Sequence, residues 1–155
     1  MQRVFCDLDS VLADFDRRVF EPIGCKPSEV EPVIMWNAIR RDQNFFVNLK
    51  WTHDGEQLWK YIKRFNPTIL TGIPRGEFAI KQKQQWCRDH LGKHIEVMCC
   101  RSKEKQKFIT QPGDILIDDR EDNCQRWIDA GGDAIIHTSA IKTINQLKTI
   151  IALGH

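Results

Sequence analysis

Two aspartates separated by one residue, Asp7 and Asp9, close the apolar run Val4-Phe5-Cys6. A carboxylate at the end of a buried strand loses hydration that a hydrocarbon core cannot replace, and a bound divalent cation would compensate for it. Ligation by oxygen alone, from clustered carboxylates with room left for water and phosphate, is what magnesium prefers. A second acidic pair, Asp118-Asp119, follows the apolar triplet Ile115-Leu116-Ile117. Between the two pairs, Thr71 and Gly72 end the stretch Pro67-Thr68-Ile69-Leu70, and a basic segment containing Lys103 and Lys105 follows Ile95 to Cys100.

These groups can meet only if the fold gathers them. Short apolar runs at 4–6, 67–72, 95–100, 115–117 and 134–136 read as strands buried on both faces. Helical spacing lies between them, over Leu12 to Phe20, Val33 to Arg40, Asp54 to Phe65, Arg75 to Leu91, Asp122 to Ala130 and Ser139 to Leu153, with a short basic helix from Lys103 to Thr110. Ser28 with Glu31 has the form of a capping box. Strands alternating with helices predict an α/β fold, a doubly wound parallel sheet. In such sheets ligands gather at the carboxyl ends of the strands, so Asp7, Thr71, Asp118 and the lysine segment are expected on one rim. The chain is read as one domain over 1–155. Its stretch from about 16 to 66, broken by Pro22, Pro27 and Pro32, is expected to form a small, mostly helical insert after the first strand.

Composition narrows the partners. Lys plus Arg at 23 against Asp plus Glu at 21 gives a net charge of +2, which argues against bulk nucleic-acid binding while leaving room for a local basic patch. No run approaches the roughly 20 apolar residues of a membrane span, and the N-terminus opens directly into a strand, so a soluble, cytoplasmic protein is expected. The six cysteines, Cys6, Cys25, Cys87, Cys99, Cys100 and Cys124, contain no CxxC pair or zinc-finger spacing and read as reduced, small apolar side chains.

An acidic pair, a threonine, a lysine and a second acidic pair, each after a strand, resemble the four motifs of the haloacid dehalogenase superfamily of phosphohydrolases. Asp7-Leu8-Asp9-Ser10-Val11 matches the first, Thr71 the second, Lys103 or Lys105 the third and Asp118-Asp119 the fourth. A response-regulator receiver is the nearest confusable pattern, but the terminal acidic pair does not fit it. The resemblance implies that Asp7 attacks a phosphomonoester and forms an aspartyl phosphate, while Asp9 serves as acid and then as base. It also implies that Asp7, the backbone carbonyl of Asp9 and one of Asp118 or Asp119 hold Mg2+, and that Thr71 and the lysine bind the transferring oxygens.

Within the superfamily, Asp9-Ser10-Val11-Leu12-Ala13-Asp14-Phe15 and Ile117-Asp118-Asp119-Arg120 resemble runs of the 5'(3')-deoxyribonucleotidases, as do Trp36 and Asn44-Phe45-Phe46. Ser10 stands where that family has glycine, and Gly72-Ile73-Pro74-Arg75 replaces its Ser-Pro-containing loop. The resemblance implies a nucleotide substrate. An aromatic cap suits a nucleobase, so Trp36, Phe45 and Phe46 are stacking candidates, with Phe45 and Phe46 equally open to forming the cap's own small core, and Gly72 and Arg75 or Arg40 are expected near substrate, sugar or phosphate. Two other readings are a 3'-phosphatase on nucleic-acid ends, with Arg17, Arg18, Arg40, Arg41 and the 103–107 run as a basic track, and a non-catalytic metal- or partner-binding module.

Overall fold

The computed structural model describes residues 1–74 and 76–154. Five parallel strands lie in the order β3-β2-β1-β4-β5. β1 (Val4–Cys6) is central, with β2 (Thr68–Gly72) and β3 (Val97–Cys100) on one side and β4 (Ile115–Asp118) and β5 (Asp133–Ile136) on the other. Chain order reverses between β1 and β4, so the crevice at their carboxyl ends is where an open α/β sheet takes a ligand.

Alternation along each strand builds two cores. Val4 and Cys6 of β1, with Ile69, Ile115, Ile117 and Ile135, face the larger core. Phe5, Leu70 and Leu116 face the smaller one, where Phe5 meets Trp127 edge-on at 5.1 Å between ring centroids. A sheet covered on both faces explains why these strands read as continuous apolar runs rather than alternating ones.

The helices are α1 (Phe15–Ile23), α2 (Pro32–Arg41), α3 (Gly55–Ile62), α4 (Phe78–His90), α5 (Glu121–Asp129) and α6 (Ala140–Leu153), with 3-10 turns at Pro27–Glu29, Lys63–Phe65 and Ser102–Phe108. Of the elements between β1 and β2, α1 packs on α2, whereas α3 packs on α6. The boundaries differ from the sequence expectation where local hydrogen bonds override periodicity. The first helix begins at Phe15 rather than Leu12 because Asp14 caps it by accepting from Arg17 N–H, and Pro22 sits inside its last turn before left-handed Gly24 ends it. Ser28 lies inside a 3-10 turn, and it is Glu29 that reaches back to accept from Lys26 N–H.

The β1–β4 crossing is fastened at its base by Asp114. This buried carboxylate accepts from Arg3 N–H at 2.9 Å, Thr110 N–H at 2.9 Å, Thr110 Oγ1–H at 2.8 Å and Gln111 N–H at 3.2 Å. Burial alone would push its carboxyl up, but these bonds more than offset it and hold the group below the ordinary carboxylate value. Asp114→Ala should therefore lower unfolding free energy by about 2–4 kcal/mol, read from the urea midpoint, because three backbone N–H groups lose their acceptor. The sign with pH follows from the lowered pKa. Asp114 contributes stability that is present above the unfolded carboxylate value and lost as pH falls through the folded one, so the acid limb of the stability curve should be shallower in Asp114→Ala.

Candidate active site

β1 carries Asp7 one residue past its end. Asp7 N–H donates to Ile117 O at 2.8 Å, continuing the ladder to β4, and its Oδ1 accepts from Leu8 N–H at 2.8 Å. The chain then curls tightly: Val11, Leu12 and Ala13 N–H all point at Leu8 O. Ser10, at φ 66°, takes the left-handed conformation that glycine would adopt without strain.

Asp118 ends β4 and is fully buried. Its Oδ1 accepts from Arg120 N–H at 2.9 Å, and its Oδ2 from Asn123 Nδ2 at 3.1 Å and Lys105 Nζ at 2.7 Å. Lys105 Nζ also lies 3.0 Å from Asp7 Oδ1, so one buried ammonium joins the two strand-end aspartates. Asp7, Asp118 and Asp119 each bring a carboxylate oxygen within 4.8 Å of the others.

The charge balance of this group is uneven. Burial opposes the Lys105 charge, but Asp7 and Asp118 outweigh it and hold the ammonium above its usual range. Burial and Asp7 push Asp118 up against Lys105. Asp119 is pushed up to about 8 by burial, then by Asp7 and Asp118. Three oxygen donors, one of which keeps its proton for want of positive charge, fit a hard divalent cation.

Asp9 has a partner that the sequence reading missed. Lys83, on α4 and 1% exposed, donates to Asp9 Oδ2 at 2.6 Å, Thr71 Oγ1 at 2.9 Å and Gly72 O at 2.9 Å. Asp9 Oδ1 is left buried with no partner among the described residues. The available signal was helical spacing: Lys83 stands at i+4 from Ala79 and three and four before Trp86 and Cys87, on the buried stripe of α4.

A cavity of about 230 Å3 opens above these groups, lined by Asp7, Asp9, Lys105 and Asp119, with Gly72 and Ser102 on its wall and Phe15 and Trp36 together at one side. Gly72 lets β2 end close against Ser102, since a Cβ there would force the Ser102 hydroxyl to turn away. Thr71 is fully buried, its hydroxyl engaged by Lys83. Lys103 is exposed, whereas Lys105 is buried at the carboxylates.

Phe45 and Phe46, candidates both for stacking on substrate and for the core, are 1% and 0% exposed and belong to the core, so they are not the stacking surface. They meet each other edge-on at 5.0 Å, and Phe46 stacks under Phe15 at 6.2 Å. Their shared burial is possible because 43–48 is a turn, free of the alternation of a strand or helix. Phe15 and Trp36, not Phe45 and Phe46, are the aromatic side chains that line the cavity. Arg75 lies outside the described residues.

No protein-family model matches the sequence, and no curated protein matches it either. Solved structures do match over nearly the whole chain. A HAD-superfamily hydrolase from Ehrlichia chaffeensis aligns with a TM-score of 0.57 at 12% identity, over 97% of this chain and 99% of that one. A hydrolase from Streptococcus pneumoniae TIGR4 aligns at 0.55 and 13% identity, over 95% and 98%. A HAD family enzyme from Bacteroides thetaiotaomicron, a mutant in complex with magnesium and inorganic phosphate, aligns at 0.52 and 15% identity, over 90% and 95%. What is shared at such identities is the fold, the HAD-like α/β sandwich. No helix among the described residues is long and apolar enough to cross a membrane.

Proposed function

We propose that this chain, with the fold of the haloacid dehalogenase hydrolases, is a magnesium-dependent phosphomonoesterase that works through an aspartyl phosphate. The observation carrying this reading is the junction of Asp7, Asp118 and Asp119 within 4.8 Å at the mouth of the β1–β4 crevice, bridged by buried Lys105. Asp7 Oδ1 is held by Leu8 N–H and Lys105, which leaves Oδ2 to attack phosphorus. As the bond to the leaving oxygen breaks, Asp9 gives that oxygen a proton. Asp9 then takes a proton from the water that attacks the aspartyl phosphate, releasing inorganic phosphate and restoring Asp7. A magnesium ion held by Asp7, the Asp9 carbonyl and Asp118 or Asp119 would offset the repulsion between a carboxylate and a phosphate dianion. Lys105 supplies fixed positive charge beside the transferring group, and Gly72 lines its cavity.

The finer reading is a mononucleotide or similar small ester. A cavity of about 230 Å3 is below the roughly 300–1,000 Å3 of sites that enclose a drug-sized ligand, so it suits a phosphoryl group with part of its ester outside. Phe15 and Trp36 offer aromatic surface to a base at that edge. A polynucleotide end is less well served, because two members of the basic track are consumed: Arg18 pairs with Glu21 and Asp42, and Lys105 with Asp7 and Asp118.

The test is a screen of phosphate esters, including 5' and 3' mononucleotides and a 3'-phosphorylated oligonucleotide, with magnesium and with EDTA. Hydrolysis of small esters that stops in EDTA is expected. Activity untouched by EDTA, or none on any ester, would refute the reading. Turnover confined to the oligonucleotide and collapsing with added salt would move the substrate to nucleic-acid ends.

A further inference from the structure

Lys83 is a fully buried cation that the mechanism above does not use. Its ammonium has three donors and three acceptors in reach: Asp9 Oδ2 at 2.6 Å, Thr71 Oγ1 at 2.9 Å and Gly72 O at 2.9 Å. No donor is left over, so the position of Nζ is set by the end of β2 rather than by Asp9 alone. The face of Phe46 closes it from another side, 4.8 Å from Nζ, and that ring is itself fastened to α4, since Phe46 N–H donates to Gln82 Oε1 at 2.8 Å. Two consecutive residues of α4 thus tie the turn at 43–48 and the second aspartate to one frame.

We infer that Lys83 is the positioning residue for the acid/base carboxylate: it pins Asp9 Oδ2 against the end of β2 and so fixes where that carboxylate stands at the cavity wall. A rigid orientation matters because proton transfer requires heavy atoms within about 2.6–3.2 Å.

This inference rests on the phosphomonoesterase reading, and the experiment separates the two. Wild type and Lys83→Met are compared with magnesium on p-nitrophenyl phosphate, whose leaving group departs without a proton, and on phenyl phosphate, whose leaving group needs one. If Lys83 acts by placing Asp9, kcat/KM should fall about 10²-fold on phenyl phosphate and within about threefold on p-nitrophenyl phosphate. An equal loss on both esters overturns the inference and leaves the phosphatase reading standing, whereas a wild type inactive on both overturns both. Should Lys83→Met fail to fold, the double variant with Asp9→Asn removes the charge pair together and is compared with Asp9→Asn alone. On p-nitrophenyl phosphate the two should agree within about twofold, since Lys83 then has no carboxylate to place. A further tenfold loss in the double variant would overturn the inference.

Discussion

Asp7→Asn should abolish phosphate-ester hydrolysis, with kcat down by at least about 10⁴-fold, while leaving the protein folded and no less stable. The substitution is nearly isosteric and keeps an oxygen for Leu8 N–H, so the turn after β1 has no reason to move. What it removes is the attacking charge and one of three crowded carboxylates. Equal activity of variant and wild type would remove Asp7 as nucleophile.

The same variant should change how metal-free protein responds to pH. Burial, Asp7 and Asp118 raise Asp119 to about 8, so the folded state holds a proton there that the unfolded chain has already released. An acid with a raised folded pKa makes stability fall as pH rises from the unfolded carboxylate value to the folded one. In EDTA, wild-type melting temperature should therefore decline between about pH 4 and 8, the window from the unfolded value of about 3.9 to the raised one. In Asp7→Asn the decline should be shallower, because the second cause of the raised pKa has gone. A site that is strained when empty and relaxed by losing its nucleophile is what a trade between stability and activity looks like.

The strand-end placement of Asp7, Thr71 and Asp118 could be read in the sequence because each lies at the end of an apolar run, and runs buried on both faces in α/β order admit few topologies. The pattern says nothing about groups that arrive from helix faces. Lys83 reaches Asp9 from the middle of α4, where a single lysine on an otherwise buried stripe was the only sign. The turn at 43–48 was illegible for the opposite reason: no periodicity governs it, so two adjacent phenylalanines could both turn inward, and Phe15 took the exposed face. The curl after Asp7 was hidden too, since Leu12 and Phe15 fall at helical spacing although the helix starts only at the latter.

The choice between Lys103 and Lys105 turns on a helix type that sequence does not announce. The segment Ser102–Phe108 is a 3-10 helix, in which residues three apart eclipse one another. Ser102, Lys105 and Phe108 therefore share a face. Phe108 packs into the smaller core, Ser102 lines the cavity, and Lys105 between them is drawn under to Asp7 and Asp118. At α-helical spacing the three would fan out by roughly 60° at each step, and Lys103, nearer the strand end, would be as good a candidate.

Lys105→Met should accordingly cost about 10²–10³-fold in kcat/KM on every ester, whatever its leaving group, because the fixed charge beside the phosphoryl oxygens is lost. Lys103→Met should stay within about twofold of wild type, as expected for an exposed side chain away from the reacting atoms. Stability gives an independent reading. Removing Lys105 leaves Asp7 and Asp118 buried without their shared cation, a loss of the kind that costs about 3–5 kcal/mol when one partner of a buried pair is deleted. In EDTA the Lys105→Met melting temperature should drop well below that of Lys103→Met, and magnesium should recover part of the difference, because a divalent cation on the same carboxylates replaces some of the missing charge. If the two variants lose activity to the same extent, or if Lys103→Met is the more damaging, then the 3-10 turn does not present Lys105 to the reaction and the bridge between Asp7 and Asp118 is structural only.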